Sequence, residues 1–204
     1  MIISRTPFRI SFFGGGTDYP AWFSENGGAV LATTINKYCY ITCRYLPPFF
    51  DHKHRIAYSK IEHAKNTMDI QHPVFREILR FMQIEFGVEV HHDADLPART
   101  GLGSSSSFTV GLIHALYALK GKMIDKKQLA DLAVYIEQEI IKENVGCQDQ
   151  FMASFGGLNL VSFNGKKNIH VQPLVIGNER LKELSGHLML FFTGFTRISS
   201  EIAG

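Results

Sequence analysis

No stretch of the 204-residue chain is apolar for long enough to cross a bilayer as a helix, which takes about 20 consecutive apolar residues. The N-terminal residues MIISRTPFRIS show no secretory signal pattern. Cysteine is scarce. Cys39, Cys43 and Cys147 make an odd count of three with no CxxC pair. That excludes a disulfide-stapled secreted scaffold and a thiolate zinc cluster, and it sets a reducing, cytoplasmic location as the expectation. Cys39 and Cys43 lie four apart in a β-rich run, on one face of a strand, and read as buried thiols. An excess of either charge is also missing: 21 Lys and Arg stand against 19 Asp and Glu, a formal net charge of +2. Nucleic-acid binders neutralise many phosphates with clustered basic groups. Here the densest basic stretch, residues 120–127, is interrupted by Gly121 and Asp125. No repeat or low-complexity linker divides the chain, so neither a nucleic acid nor a membrane is an expected partner.

What is present is a mixture of strand and helix patterns without a regular βαβ rhythm, which predicts an α+β fold. IISRTPFRISFF alternates apolar and polar residues as a strand does, with a break at Pro7. The β-branched and aromatic run AVLATTINKYCYITCRYL reads as a further strand or pair. Phe75, Ile78, Leu79, Met82 and Phe86 recur at helical spacing, predicting a helix from Pro73 that stops at Gly87. A helix to Leu119 has serine in its first turn. Asp125 caps another that runs to about residue 144. LNLVSF, HVQPLVI and HLMLFFTG read as later strands.

The stretch PARTGLGSSSS sits at the mouth of that serine-started helix. Glycines there allow a tight turn, and the backbone N–H groups of a helix N-terminus favour an anion such as phosphate. Serine hydroxyls add donors, and one can ligate a hard cation. It is no Walker loop, because no lysine follows the second glycine. A plain capped helix start would explain the stretch on local grounds alone. Two further stretches carry chemistry-bearing residues beside tight turns: TPFRISFFGGGTDYP holds Arg9 and Asp18, and GCQDQF holds Asp149.

Together the three stretches resemble the motifs of the GHMP kinases, the superfamily of galactokinase, homoserine kinase, mevalonate kinase and phosphomevalonate kinase. The triple-glycine form is most similar to kinases that phosphorylate D-glycero-D-manno-heptose 7-phosphate in bacterial envelope sugar synthesis. The resemblance implies a ribosomal protein S5 domain 2-like N-terminal domain over residues 1–180 and the start of a second α+β domain over 181–204. It implies ATP and Mg2+ as cofactors and a sugar phosphate as substrate. Asp149 would be the catalytic base and Arg9 its cationic partner. Pro97, Thr100, Gly101, Leu102, Gly103, Ser104, Ser105, Ser106 and Ser107 would hold the nucleotide. Glu137 would ligate magnesium with Ser105, or with Ser104. Helical periodicity does not choose between Glu137 and Glu139; the family pattern selects Glu137. Gly14, Gly15, Gly16, Thr17 and Asp18 would contact the sugar, and Arg197 its distal phosphate, with Lys37 and Arg44 as other basic candidates. The triple glycine departs from galactokinase proper, where bulkier polar residues occupy that turn, and this leaves room for a larger or phosphorylated sugar.

The superfamily's third glycine-rich motif is absent from these 204 residues. The chain therefore reads as the N-terminal part of a longer kinase, and uncovered apolar surface at its end would favour a homodimer. The expected activity is transfer of the ATP γ-phosphoryl group to the anomeric hydroxyl of a heptose 7-phosphate. A fucose- or galactose-type 1-kinase and a non-catalytic sugar or nucleotide binder on the same fold are the alternatives.

Overall fold

A computed structural model describes residues 1–98, 100–165 and 168–191. It is built on one long strand. β1 (Ile2–Phe13) runs antiparallel to β2 (Gly28–Tyr45), an 18-residue strand rich in β-branched and aromatic residues. The other edge of β2 is shared: its first third pairs with β6 (Leu158–Phe163) and its last third with β5 (Val88–Ala94), both antiparallel. The sheet is completed by β3 (His54–Ala57) and β4 (Ile61–Ala64) beyond β5, and by β7 (Ile169–Pro173) beyond β6. Among the described pairs only β3–β5 is parallel. The sheet is thus mostly antiparallel, as an α+β fold requires. The run read as a strand or a pair is a single strand, which β1 pairs along from Leu31 to Cys43.

Helices cover one face. α2 (Pro73–Phe81), α3 (Ser104–Leu119) and α4 (Lys126–Tyr135) pack Phe75, Ile78, Leu112, Ile113, Leu116 and Ala133 against Ile41, Cys43 and Val90 of the sheet. A second cluster joins α1 (Pro20–Asn26) and α5 (Gln148–Phe155) to β2 and β6 through Phe23, Phe151, Met152, Val161 and Phe163. α3 runs beneath β1 and β2 with little room to spare. At Gly111 an added Cβ would lie 2.8 Å from the Thr6 hydroxyl, so the small residue sets how closely helix and strand approach. Cys39 and Cys43 are buried on this face in no disulfide, and burial pushes their thiols up to about 12 and about 11.

Three predicted elements differ. α2 stops at Phe81 instead of reaching Phe86. Its end is a Schellman motif: Gln83 takes a left-handed φ of 52°, its N–H bonds the Arg80 carbonyl, and the Ile84 N–H bonds the Leu79 carbonyl. The reversal buries Ile84, and Phe86 packs on the same core, so apolar residues recur past the true helix end. The helix predicted to about residue 144 is α4 followed by a π turn (Ile136–Ile140), closed by Ile141 N–H to the Ile136 carbonyl. Of HLMLFFTG, residues 188–191 lie in no strand. A strand needs a neighbour for its backbone groups, and no described strand pairs with them. The remainder of that run, with Arg197, lies outside the described residues. An additional helix, α6 (Asn178–Gly186), spans the expected domain boundary at residue 180.

Candidate active site

β1 delivers Arg9. Its backbone N–H bonds the Leu102 carbonyl at 3.1 Å, which fastens the strand to the glycine loop. Its side chain then forks onto Asp149: Nε to Oδ1 at 2.6 Å and Nη2 to Oδ2 at 2.8 Å. The remaining Nη1 donates to the Gly101 carbonyl at 2.8 Å. Such a planar, two-point pair fixes both position and orientation of the carboxylate. Asp149 sits in the first turn of α5, 140 residues away in sequence. The three stretches singled out by sequence therefore meet at one place.

The loop itself is shaped by two left-handed glycines. Gly101 and Gly103 both have φ of +74°, a region that other residues enter at a cost. Gly103 is also the N-cap of α3, and a Cβ there would lie 3.3 Å from both Arg9 Cγ and Asp149 Oδ2. The first turn of α3 thus opens with no acidic residue in it, directly beside the Arg9–Asp149 pair. The serines divide by direction. Ser107 turns inward and donates to the Pro7 carbonyl at 2.9 Å, tying α3 to β1. Ser106 is buried and donates to Glu137 at 2.9 Å. Ser105 is exposed, Ser104 half-buried. Ser106 is thus a serine bonded to Glu137, where the resemblance implies Ser105 or Ser104 as the glutamate's companion at magnesium. On a helix, one position rotates a side chain by about 100°, and short motifs do not settle that phase.

Glu137 lies in the π turn and is 1% exposed, whereas Glu139 is exposed. Gln150 Nε2 and Ser106 donate to its Oε2, while Oε1 makes no hydrogen bond among the described residues. Burial, opposed by the neighbouring Thr109 hydroxyl and by Gln150 and Ser106, pushes its carboxyl up to about 7. A buried carboxylate with an unmet oxygen and a serine hydroxyl beside it suits a hard divalent cation, which favours oxygen ligands. Among the described residues no cluster of three His, Cys, Asp or Glu forms a metal site. A cation shared with nucleotide phosphates needs only one or two protein oxygens. His91 is bonded to Glu89, and His92 packs on Phe108.

The triple glycine forms a turn in which the Thr17 N–H and hydroxyl bond the Gly14 carbonyl at 3.0 and 2.8 Å. Gly14 is required there: its φ is +87°, and a Cβ would fall 1.9 Å from the Ala29 carbonyl oxygen. Gly16 gives its N–H to Asp18 Oδ1 at 3.1 Å, and Gly15 lies between them, 4.0 Å from the Ser11 hydroxyl by its built Cβ. Asp18 is only 6% exposed. Its Oδ2 accepts from the Gln148 backbone N–H at 3.1 Å, and its carbonyl from Cys147 N–H at 3.0 Å. Burial raises Asp18 above the usual carboxylate range; the Gln148 amide works against this and the Asp149 charge with it. Asp18 thus ties the glycine turn to the Asp149 loop. Arg44 is not near this site. It lies ten residues along β2 from Thr34, the partner of Arg9, hence about 33 Å away along the strand, paired with Glu89.

Sequence reasoning passed over Gln148, Gln150 and Ser11. Ser11 shares a strand face with Arg9, two residues on, and the glutamines flank Asp149 on both sides in QDQ; those were the available signals.

The family profile described as GHMP kinases N terminal domain matches residues 69–157. The D-glycero-alpha-D-manno-heptose 7-phosphate kinase of Campylobacter jejuni is 31% identical over 98% of this chain and 62% of its own length. A Pyrococcus furiosus galactokinase is 26% identical over 99% of this chain and 56% of its own. The crystal structure of a D-glycero-D-manno-heptose 1-phosphate kinase from Bacteriodes thetaiotaomicron superposes with a TM-score of 0.81 at 26% identity, covering 90% of this chain and 63% of that one. The chain spans roughly three fifths of the length of these relatives. Residues 69–157 thus match the N-terminal domain of the GHMP kinases, and the fold around them is similar to that of these kinases.

Proposed function

We propose that the full-length protein is an ATP-dependent sugar kinase whose acceptor is the anomeric hydroxyl of D-glycero-D-manno-heptose 7-phosphate and whose product is the 1,7-bisphosphate. The observation that carries this reading is the Arg9–Asp149 fork, clamped to the Gly101 carbonyl at the opening of α3. Phosphoryl transfer demands little covalent work from a protein; it demands positioning and charge stabilisation. α3 supplies an N-terminal turn of amides and hydroxyls for the phosphates. Asp149 takes the proton of the acceptor hydroxyl as its oxygen bonds the γ-phosphorus, and the bond to the β-phosphate oxygen breaks to release ADP. Arg9 holds Asp149 in register and offers positive charge beside the transferring group. Glu137 and Ser106 would hold Mg2+, which neutralises charge on the bridging phosphates when bound. Asp18 and residues 14–17 would shape the sugar side, where glycines let the acceptor approach the backbone.

The heptose assignment rests on the Campylobacter jejuni relative and on the triple-glycine turn. A galactose-type acceptor is the second reading, favoured by the Pyrococcus furiosus relative. A coupled ADP-release assay on the full-length protein separates them, using heptose 7-phosphate, the unphosphorylated heptose, fucose and galactose. Heptose 7-phosphate is expected to give the highest kcat/KM. Asp149→Asn should lower kcat by about 10²–10⁴-fold with nucleotide affinity nearly unchanged. Undiminished turnover by that variant refutes the assignment of the base, and ADP release with none of the sugars refutes the kinase reading.

A further inference from the structure

We infer that Gln148 is a positioning residue that makes Oδ2 of Asp149 the atom receiving the acceptor proton, by occupying the last free lone pair of Oδ1. The inference rests on the kinase reading and deepens it. A carboxylate oxygen has room for two donors. Oδ1 receives Arg9 Nε at 2.6 Å and Gln148 Nε2 at 3.2 Å, and is full. Oδ2 receives Arg9 Nη2 at 2.8 Å and no second donor among the described residues. Oδ2 is also the oxygen that lies 3.3 Å from where a Gly103 Cβ would be, so it faces the loop that opens α3. The atom with spare basicity is the atom turned toward the phosphate end of the site.

The amide of Gln148 has one usable orientation. An ionised carboxylate only accepts, so the NH2 must face Asp149. The Ser11 hydroxyl donates to Oε1 at 2.7 Å and holds the amide that way round. Gln148 itself is only 5% exposed. Its backbone N–H meanwhile holds Asp18 Oδ2. There is no slack in this seat: at Gly146 an added Cβ would fall 1.9 Å from Asp18 Oδ2. One residue therefore fixes the triple-glycine turn and the base relative to each other, and selects which oxygen of the base works.

The test uses the full-length protein and the sugar that wild type phosphorylates best. Gln148→Met keeps length and loses the donor; it should lower kcat roughly tenfold or more while KM for ATP stays within about twofold, because the α3 loop is untouched. Ser11→Ala, at an exposed position, removes only the amide lock and should give a smaller fall in kcat of the same kind. Gln148→Glu places a third carboxylate beside Asp149 and Asp18, with Arg9 the only cation facing them among the described residues. Its kcat should recover relative to Gln148→Met as pH falls, since a protonated Glu again donates to Oδ1. Gln148→Met and Ser11→Ala with wild-type kcat, or equal pH profiles for Gln148→Met and Gln148→Glu, would overturn the inference while leaving the kinase reading standing. A wild-type protein that phosphorylates no sugar overturns both.

Discussion

Gly101 and Gly103 offer a matched pair for testing how tightly the glycine loop controls the base. Both have φ of +74°, so alanine at either position pays the same left-handed backbone cost of about 1–2 kcal/mol. For a domain of this size that lowers the melting temperature by about 2–4 °C per kcal/mol. The surroundings differ. A Cβ at position 101 meets nothing within 4 Å, whereas at 103 it meets Arg9 Cγ and Asp149 Oδ2, each at 3.3 Å. Arg9 cannot retreat easily, because its N–H holds Leu102 and its Nη1 holds Gly101. The carboxylate must shift instead, by a few tenths of an ångström. Misplacement by about 1 Å costs on the order of 10²-fold in rate, so a shift of this size should cost roughly 3–10-fold. Gly103→Ala and Gly101→Ala should therefore melt alike, while Gly103→Ala alone shows the lower kcat at saturating Mg-ATP and sugar. Equal kcat for the two variants would refute the claim that Gly103 is glycine because of what stands next to it.

Two predictions concern stability. Burial alone would raise the Glu89 carboxyl, but hydrogen bonds from His91, Arg55 and Arg44 outweigh it and hold it at about 2. A depressed carboxyl contributes stability above its ordinary value of 4.5 that is lost as pH falls through about 2. The full shift is worth at most about 3 kcal/mol. Arg44 and Arg55 are 47% and 32% exposed, so water screens the pair and about 1–2 kcal/mol is expected. Denaturant melts should show Glu89→Gln less stable than wild type at pH 7, with the gap closing toward pH 2; a gap independent of pH refutes the assignment. Phe75 is fully buried and packs edge-on against Phe108 at 4.9 Å. Phe75→Ala should cost about 3–5 kcal/mol in the same melts, and a loss below about 1 kcal/mol would show that α2 is not anchored there.

Much of the site was legible because its signals are local. A glycine that needs positive φ leaves a glycine in the sequence wherever it falls, as at 14, 101 and 103, and β-branched runs mark strands. The cap of α4 was legible for the same reason: Asp125 accepts from the Gln128 N–H three residues on, at 2.8 Å. The end of α2 was not. The apolar spacing that defines its buried face continues through Met82 to Phe86, past a left-handed Gln83 that no composition rule requires. Gln148 was illegible for a stronger reason. Its side-chain partner Ser11 lies 137 residues away, and only the closure of β1 against α5 brings them together.

The choice between Glu137 and Glu139 shows where pattern reading stops and why. With 3.6 residues per turn, a buried stripe through Leu129, Ala133 and Ile136 puts both glutamates at its margins. The π turn changes the arithmetic. Its i→i+5 closure at Ile136 and Ile141 adds a residue to the turn, and within it Ile136 and Glu137 are buried while Glu139 is exposed. The carboxylate is then walled in beside Ser106 and Gln150, which belong to the two helices whose first turns flank the Arg9–Asp149 pair. The irregular turn thus carries a third helix's acid to the same site, where the Ser106 hydroxyl and the Gln150 amide offset part of the cost of burying it.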